Sequence, residues 1–208
     1  MKAIILIICI LSGQAAGQVK TNRAHNLEEI RAALKSGGDV DIGSVHVGAA
    51  KLVMQVSVSH DRVLMAVKGS SGGALALFKS DGELADAVKV GSVISYQVLD
   101  LDEDDVSGIV TDEVEGAGTG ILLRQFRLYS LAATDHVTEI WHAPSFSRKA
   151  PWSSTEPEPP VKTERGYLAF NRAGAGYPAQ MFYAFCDAQG HWSNKAYKLS
   201  RGHAELLQ

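Results

Sequence analysis

Three aspartates at alternating positions, Asp100, Asp102 and Asp104, give the sequence its most specific chemistry. They lie in Asp100-Leu101-Asp102-Glu103-Asp104-Asp105-Val106-Ser107-Gly108. Acids alternating through a tight loop turn several carboxylates toward one point. A hard cation such as calcium wants that arrangement, since it is held by six to eight oxygens. Eight acids and no base fall between Asp100 and Glu115. Like charges at that density repel one another unless a cation sits among them. Asp100, Asp102 and Asp104 are therefore the expected metal ligands, calcium is the expected ion, and Asp112, Glu113 and Glu115 stand near enough in sequence to complete a shell.

Other residue types offer less. The seven histidines, His25, His46, His60, His136, His142, His191 and His203, show no H-x-x-x-H spacing. No G-x-S-x-G nucleophile signature is present. Ser70-Ser71-Gly72-Gly73 and Asp135-His136 read as turns, where serine, glycine and aspartate are at home. The glycines between 116 and 120 do not open a helix, as a dinucleotide loop would. The residues after them, Gln125-Phe126-Arg127-Leu128, alternate with the period of a strand. Trp141, Trp152, Trp192, Tyr167 and Tyr177 could line a shallow face for sugar or peptide, although the matching places of Trp141 and Trp192 favour packing.

These residues must be positioned by a chain that begins like an exported protein. Lys2 precedes the apolar run Ile4 to Leu11, and Ala15, Ala16 and Gly17 follow as small residues. That is a secretory signal, residues 1–17, with cleavage expected before Gln18. The run is shorter than the roughly 20 residues of a membrane anchor. Ile7 and Ile8 precede Cys9, so no lipid anchor is expected there. Removal of the signal leaves Cys186 as a lone cysteine, without an intramolecular disulfide, and its aromatic neighbours suggest burial. The net charge of −3 gives no basic surface for nucleic acid.

The remainder, residues 18–208, reads as a single β domain with one short N-terminal helix. Asn26-Leu27-Glu28-Glu29 is a capping box, and Leu27, Ile30 and Leu34 share one helical face. Gly37 and Gly38 stop this helix, over about residues 27 to 36. Short alternating apolar runs follow, separated by turn residues with no room for crossover helices, which predicts an antiparallel all-β body. Ser80-Asp81-Gly82 between two such runs is a hairpin turn. Five prolines between Pro144 and Pro160 predict a long exposed connection at about 144–163.

Three segments repeat one layout of strand, glycine turn, aromatic-bearing strand, polar turn and strand. Their central aromatics, Phe78, Phe126 and Phe185, are 48 and 59 residues apart. A period near 45 to 50 is that of propeller blades. Asp100-Leu101-Asp102-x-Asp104, followed by a strand and a glycine-rich turn, resembles the FG-GAP or integrin-α-type β-propeller repeat of uncharacterised bacterial exported proteins. The likeness covers about 95 to 146 well, and 60 to 95 and 165 to 200 by layout. It implies calcium held by the alternating acids and by a later acid at the ninth position. The sequence departs from that pattern at Asp105, where glycine usually turns the loop, and at Gly108, where the ninth-position acid is expected.

The expected fold is thus all-β, with antiparallel hairpin repeats resembling a partial β-propeller. The expected protein is periplasmic or secreted, a non-catalytic binding or structural module for a protein or glycan ligand. It has no nucleic-acid partner or membrane anchor, and could dimerise through open strand edges. The rival is an extracytoplasmic hydrolase with a site assembled in space from two of His60, His136, His142 and His191 and a carboxylate.

Overall fold

The computed structural model describes residues 22–24, 26–59, 62–100, 106–131, 135–150, 161–172, 179–200 and 202–207. The expected signal segment, residues 1–17, lies outside them. Among the described residues the chain is all-β with one short helix. In order it forms β1 (Asn22–Ala24), α1 (Leu27–Ser36), β2 (Val40–Ile42), β3 (Val45–Val47), β4 (Lys51–Ser59), β5 (Arg62–Lys68), β6 (Gly73–Lys79), β7 (Leu84–Val90) and β8 (Ser92–Asp100). It continues through β9 (Val106–Gly118), β10 (Ile121–Ser130), β11 (Thr138–Lys149), β12 (Lys162–Asn171), β13 (Gln180–Cys186), β14 (Trp192–Ser200) and β15 (His203–Leu206).

The expected helix forms over its expected span. The Asn26 side chain accepts from the Glu29 N–H at 3.0 Å, and Gly37 closes the helix at φ 68°, a left-handed conformation natural to glycine. Ile30 and Ala33 are its buried face. They pack with β2 and β3 onto one side of the sheet β4-β5-β6-β7. Asp81-Gly82 makes the turn from β6 to β7: Gly82 takes φ 83°, and the Asp81 carboxylate accepts from the Glu83 N–H.

That four-stranded sheet is a middle layer. Met65, Val67, Ala74, Ala76 and Phe78 face the helix side, while Leu64, Ala66, Leu75 and Leu77 face the opposite side. β6 is therefore buried on both faces from Gly73 to Phe78. Each large side chain there contributes about 1.5–3 kcal/mol by burial.

A single residue, Gly91, separates β7 from β8, and the chain enters a second sheet there. Its order is β15-β14-β13-β12-β11-β10-β9-β8, every neighbour antiparallel and consecutive in sequence. One face of its first half, through Ile109, Tyr129, Leu131 and Val137, packs on the middle layer. On the other face the sheet curls onto itself. Leu99, Val110 and Leu128 meet Met181, Leu199, Leu168 and Phe170, which belong to strands remote in the sheet order. The T-shaped contacts of Trp141 with Tyr183 and Tyr197 lie in this curl.

The three repeated layouts become β5-β6-β7, β9-β10-β11 and β12-β13-β14. The second and third share one continuous sheet rather than forming separate four-stranded blades. The expected connection at 144–163 is also shorter, because β11 runs through Pro144 to Lys149 and β12 begins at Lys162. Pro144 sits at a register shift opposite Gln125, a place in a sheet where proline is tolerated.

Candidate functional site

The strand registers lay out one face of β12, β13 and β14 as a grid. Arg165 lies opposite Cys186 and Cys186 opposite Trp192. The next row is Tyr167, Ala184 and Asn194, and the third is Ala169, Phe182 and Ala196. Asn171, Gln180 and Lys198 make the fourth. Small residues thus separate large rings, and the rings stand clear of the sheet. Tyr167 is 47% exposed, Phe182 40% and Trp192 60%. Tyr167 and Trp192 stack with ring centres 5.6 Å apart. Between Tyr167 and Phe182 is a shallow depression of about 400 Å³, floored by Ala169, Ala184 and Ala196, and Trp192 stacks on Tyr167 beside it.

The turn before Trp192 is rigidly built. The Asp187 carboxylate accepts from the backbone N–H groups of Gln189 and His191, both at 2.9 Å, and meets His191 Nδ1 at 3.1 Å. The backbone bond from His191 chiefly holds the Asp187 carboxyl below its ordinary pKa. Gly190 takes φ 88° and lets the turn close.

The electrostatics of this face differ from those of the chain as a whole. None of its twelve grid positions is acidic, while Arg165 and Lys198 are cationic. Lys195 pairs with Tyr183, so strand alternation turns its side chain to the opposite face. Neither Arg165 nor Lys198 has an ion pair within 4.0 Å among the described residues, and Glu205 of β15 lies directly opposite Lys198. Asn194, Asn171 and Gln180 add amides that both donate and accept.

The acidic stretch looks different in three dimensions. Asp102 and Asp104 lie outside the described residues, and Asp100 ends β8 opposite Val106. Gly108 pairs with Leu99 and Ser130 inside the sheet, so the ninth position supplies no carboxylate. The acids expected to complete the shell are committed elsewhere. Asp112 binds Arg124 and accepts from Ser145 Oγ at 2.6 Å. Glu115 binds Arg127. Glu113 is fully buried and accepts from the Gly91 N–H at 2.7 Å, the Tyr129 hydroxyl at 3.0 Å and the Thr111 hydroxyl. Arg127 Nε lies 3.5 Å from Glu113 and bridges to Glu139 as well. Mutual repulsion among eight acids is therefore overstated by sequence alone. β10 lays Arg124 and Arg127 beside three of them.

This buried cluster is structural. It ties the Gly91 corner to β9, and a side chain at 91 would meet the Val114 carbonyl at 2.6 Å. Burial, and then the neighbouring Glu113, raise the Tyr129 phenol far above its ordinary pKa. It stays a neutral donor to Glu113.

The histidines proposed for a hydrolase separate. His136 lies beside Asp86, His142 beside Glu139 and His191 beside Asp187, three different carboxylates on exposed rings. His60 lies outside the described residues. Among the described residues, no group of three His, Cys, Asp or Glu could hold a metal ion. No helix among them is long and apolar enough to cross a membrane.

Of the five aromatic residues singled out from sequence, Tyr167 and Trp192 meet on the exposed face, and Trp141 packs inside the curl. Trp152 and Tyr177 lie outside the described residues. Cys186 is half-buried on the exposed face, with its thiol 3.7 Å from the Asp187 carbonyl. Sequence reasoning missed Phe182, Arg165 and Asn194. A signal for Phe182 and Asn194 was present in the every-second-residue sets Phe182-Ala184 and Trp192-Asn194-Ala196, and Arg165 stands two residues before Tyr167 in the same phase. Scans against family models, curated proteins and solved structures each found no match for this chain.

Proposed function

We propose that the protein is an exported, non-catalytic binding module whose ligand surface is the aromatic face of β12–β14, and that its ligand is an acidic oligosaccharide. The carrying observation is the grid itself: Tyr167 and Phe182 exposed around an alanine floor, Trp192 stacked on Tyr167 beside it, amides along the border, and Arg165 as a cation at the end away from Glu205. Ring faces pack against the apolar faces of sugars, amides meet hydroxyls, and a cation meets carboxylates. The depression of about 400 Å³ suits a small ligand, within the usual range of roughly 300–1,000 Å³. A stable protein partner would need about 800 Å² of surface on each side. The net charge of −3 disfavours a long nucleic-acid polyanion. The N-terminal signal pattern supports the export part of the reading. Among the described residues His136, His142 and His191 lie beside three different carboxylates, which favours the binding reading over the hydrolase alternative.

Titration with neutral and carboxylate-bearing oligosaccharides, followed by tryptophan fluorescence and calorimetry, tests this. The expected result is binding of the acidic series, lost in Trp192→Ala and weakened about tenfold in Arg165→Gln. Equal binding of neutral and acidic sugars would remove the charge preference. Binding unchanged in Trp192→Ala would remove the face.

A further inference from the structure

We propose that β8 is a self-pairing edge, through which two copies of the protein join their eight-stranded sheets about a twofold axis. β8 borders its sheet, and β9 is its one ladder neighbour. Among the described residues, Ser92–Leu99 makes no backbone hydrogen bond on its other side. Ile94, Ser95, Tyr96 and Gln97 are exposed in succession, so both faces of the strand meet solvent at that edge. Ile94 is 51% exposed and Tyr96 43%.

An unpaired strand is a template for another, and proteins usually blunt such edges by shortness, charge, proline, bulges or cover. The other edges carry these devices. β15 is four residues long. β4 opens on Lys51 and has two register irregularities. β7 lies against β3. β8, like β4, runs nine residues without proline, and its one charge is the terminal Asp100. It has two register irregularities, one at Ile94 and one between Leu99 and Asp100. That confines the most regular pairing to Ser95–Leu99 and makes the association reversible rather than permanent.

The strand's own sequence selects a second copy as the occupant. An antiparallel pair centred on Tyr96 sets Tyr96 against Tyr96 and Ser95 against Gln97 in regular register, and across the Ile94 irregularity brings Ile94 toward Val98, Val93 toward Leu99 and Ser92 toward Asp100. Every apolar residue meets an apolar one, and every polar residue a polar one. Moving the centre to Gln97 sets Ile94 against Asp100 and Ser95 against Leu99. Matched cross-strand pairs and a patterned face are what fix the register of a ladder. No like charges oppose across the axis in the Tyr96-centred arrangement.

Sedimentation equilibrium of the purified protein over a concentration series tests the pairing. The expected result is a reversible monomer–dimer equilibrium. Tyr96→Lys and Tyr96→Glu should each weaken the dimer at least tenfold by like-charge opposition. Mixing the two variants in equal amounts should restore it, a readout that damage to the fold would not produce. Three results would overturn the proposal: a wild-type monomer at every concentration, a dimer indifferent to Tyr96→Lys, or variants that fail to recombine although their circular dichroism matches wild type.

Discussion

The two halves of the eight-stranded sheet obey the same alternation and meet different fates. In β8–β11, the outward ring and aliphatic residues Ile109, Tyr129 and Leu131 lie under the middle layer and are buried. In β12–β14, Tyr167, Phe182 and Trp192 are uncovered and hold a third to two-thirds of their surface in solvent. Strand patterning alone cannot separate these cases, since each half reads as large and small residues with period two. The difference lies in the reach of a second layer that spans only four strands. An aromatic face left beyond that layer is where binding chemistry belongs. The same residues beneath it are core.

The largest effect that would sharpen this contrast lies in the covered half. Glu113→Ala would leave the Gly91 N–H and the Tyr129 and Thr111 hydroxyls without their buried acceptor, and unfolding free energy should fall by about 3–5 kcal/mol in denaturant titration. Ile109→Ala, deeper under the layer, should cost about 2–5 kcal/mol by the same measurement. Trp192→Ala should cost only about 0.5–1.5 kcal/mol, the worth of its stack on Tyr167, while abolishing ligand binding. Equal losses at 109 and 192 would break the comparison.

A narrower effect belongs to Tyr183, on the inner face of the uncovered half. Burial, then Tyr197 and Glu164, pushes its phenol up to about 12 from 10.0. The folded protein thus favours the neutral phenol. That stabilisation is complete below pH 10 and is lost as pH rises toward about 12. Tyr183→Phe should show a shallower alkaline loss of melting temperature than wild type over that window. The smallest expected effect is a rise in melting midpoint with millimolar calcium over chelator, from an ion on Asp100, Asp102 and Asp104. Identical midpoints would remove calcium from the account.

The sequence made local features plain and left the long-range ones hidden. Asn26 and Gly37 bound the helix because capping is decided within a few residues, and Asp81-Gly82 sets a hairpin for the same reason. Proline content suggested a loop from 144, but a sheet irregularity opposite Gln125 carries the strand past Pro144. The acids at 112, 113 and 115 resembled parts of a metal shell until β10 placed two arginines beside them. Trp141 and Trp192 hold similar places in the repeat, yet one packs within the curl and the other faces water. Which cover each receives is decided by strands far away in sequence.

The unbroken order from β8 to β15 also bears on how the molecule is made. Every strand pairs with the one synthesised just before it, and no crossover waits for a later segment. A chain threaded amino-terminus first through a narrow exit could therefore zip its large sheet together strand by strand as it emerges. Neighbour-to-neighbour pairing lowers the loop-closure cost that slows most β proteins. The exposed aromatic face is completed near the end of that assembly, when β14 docks on β13 and brings Trp192 beside Tyr167.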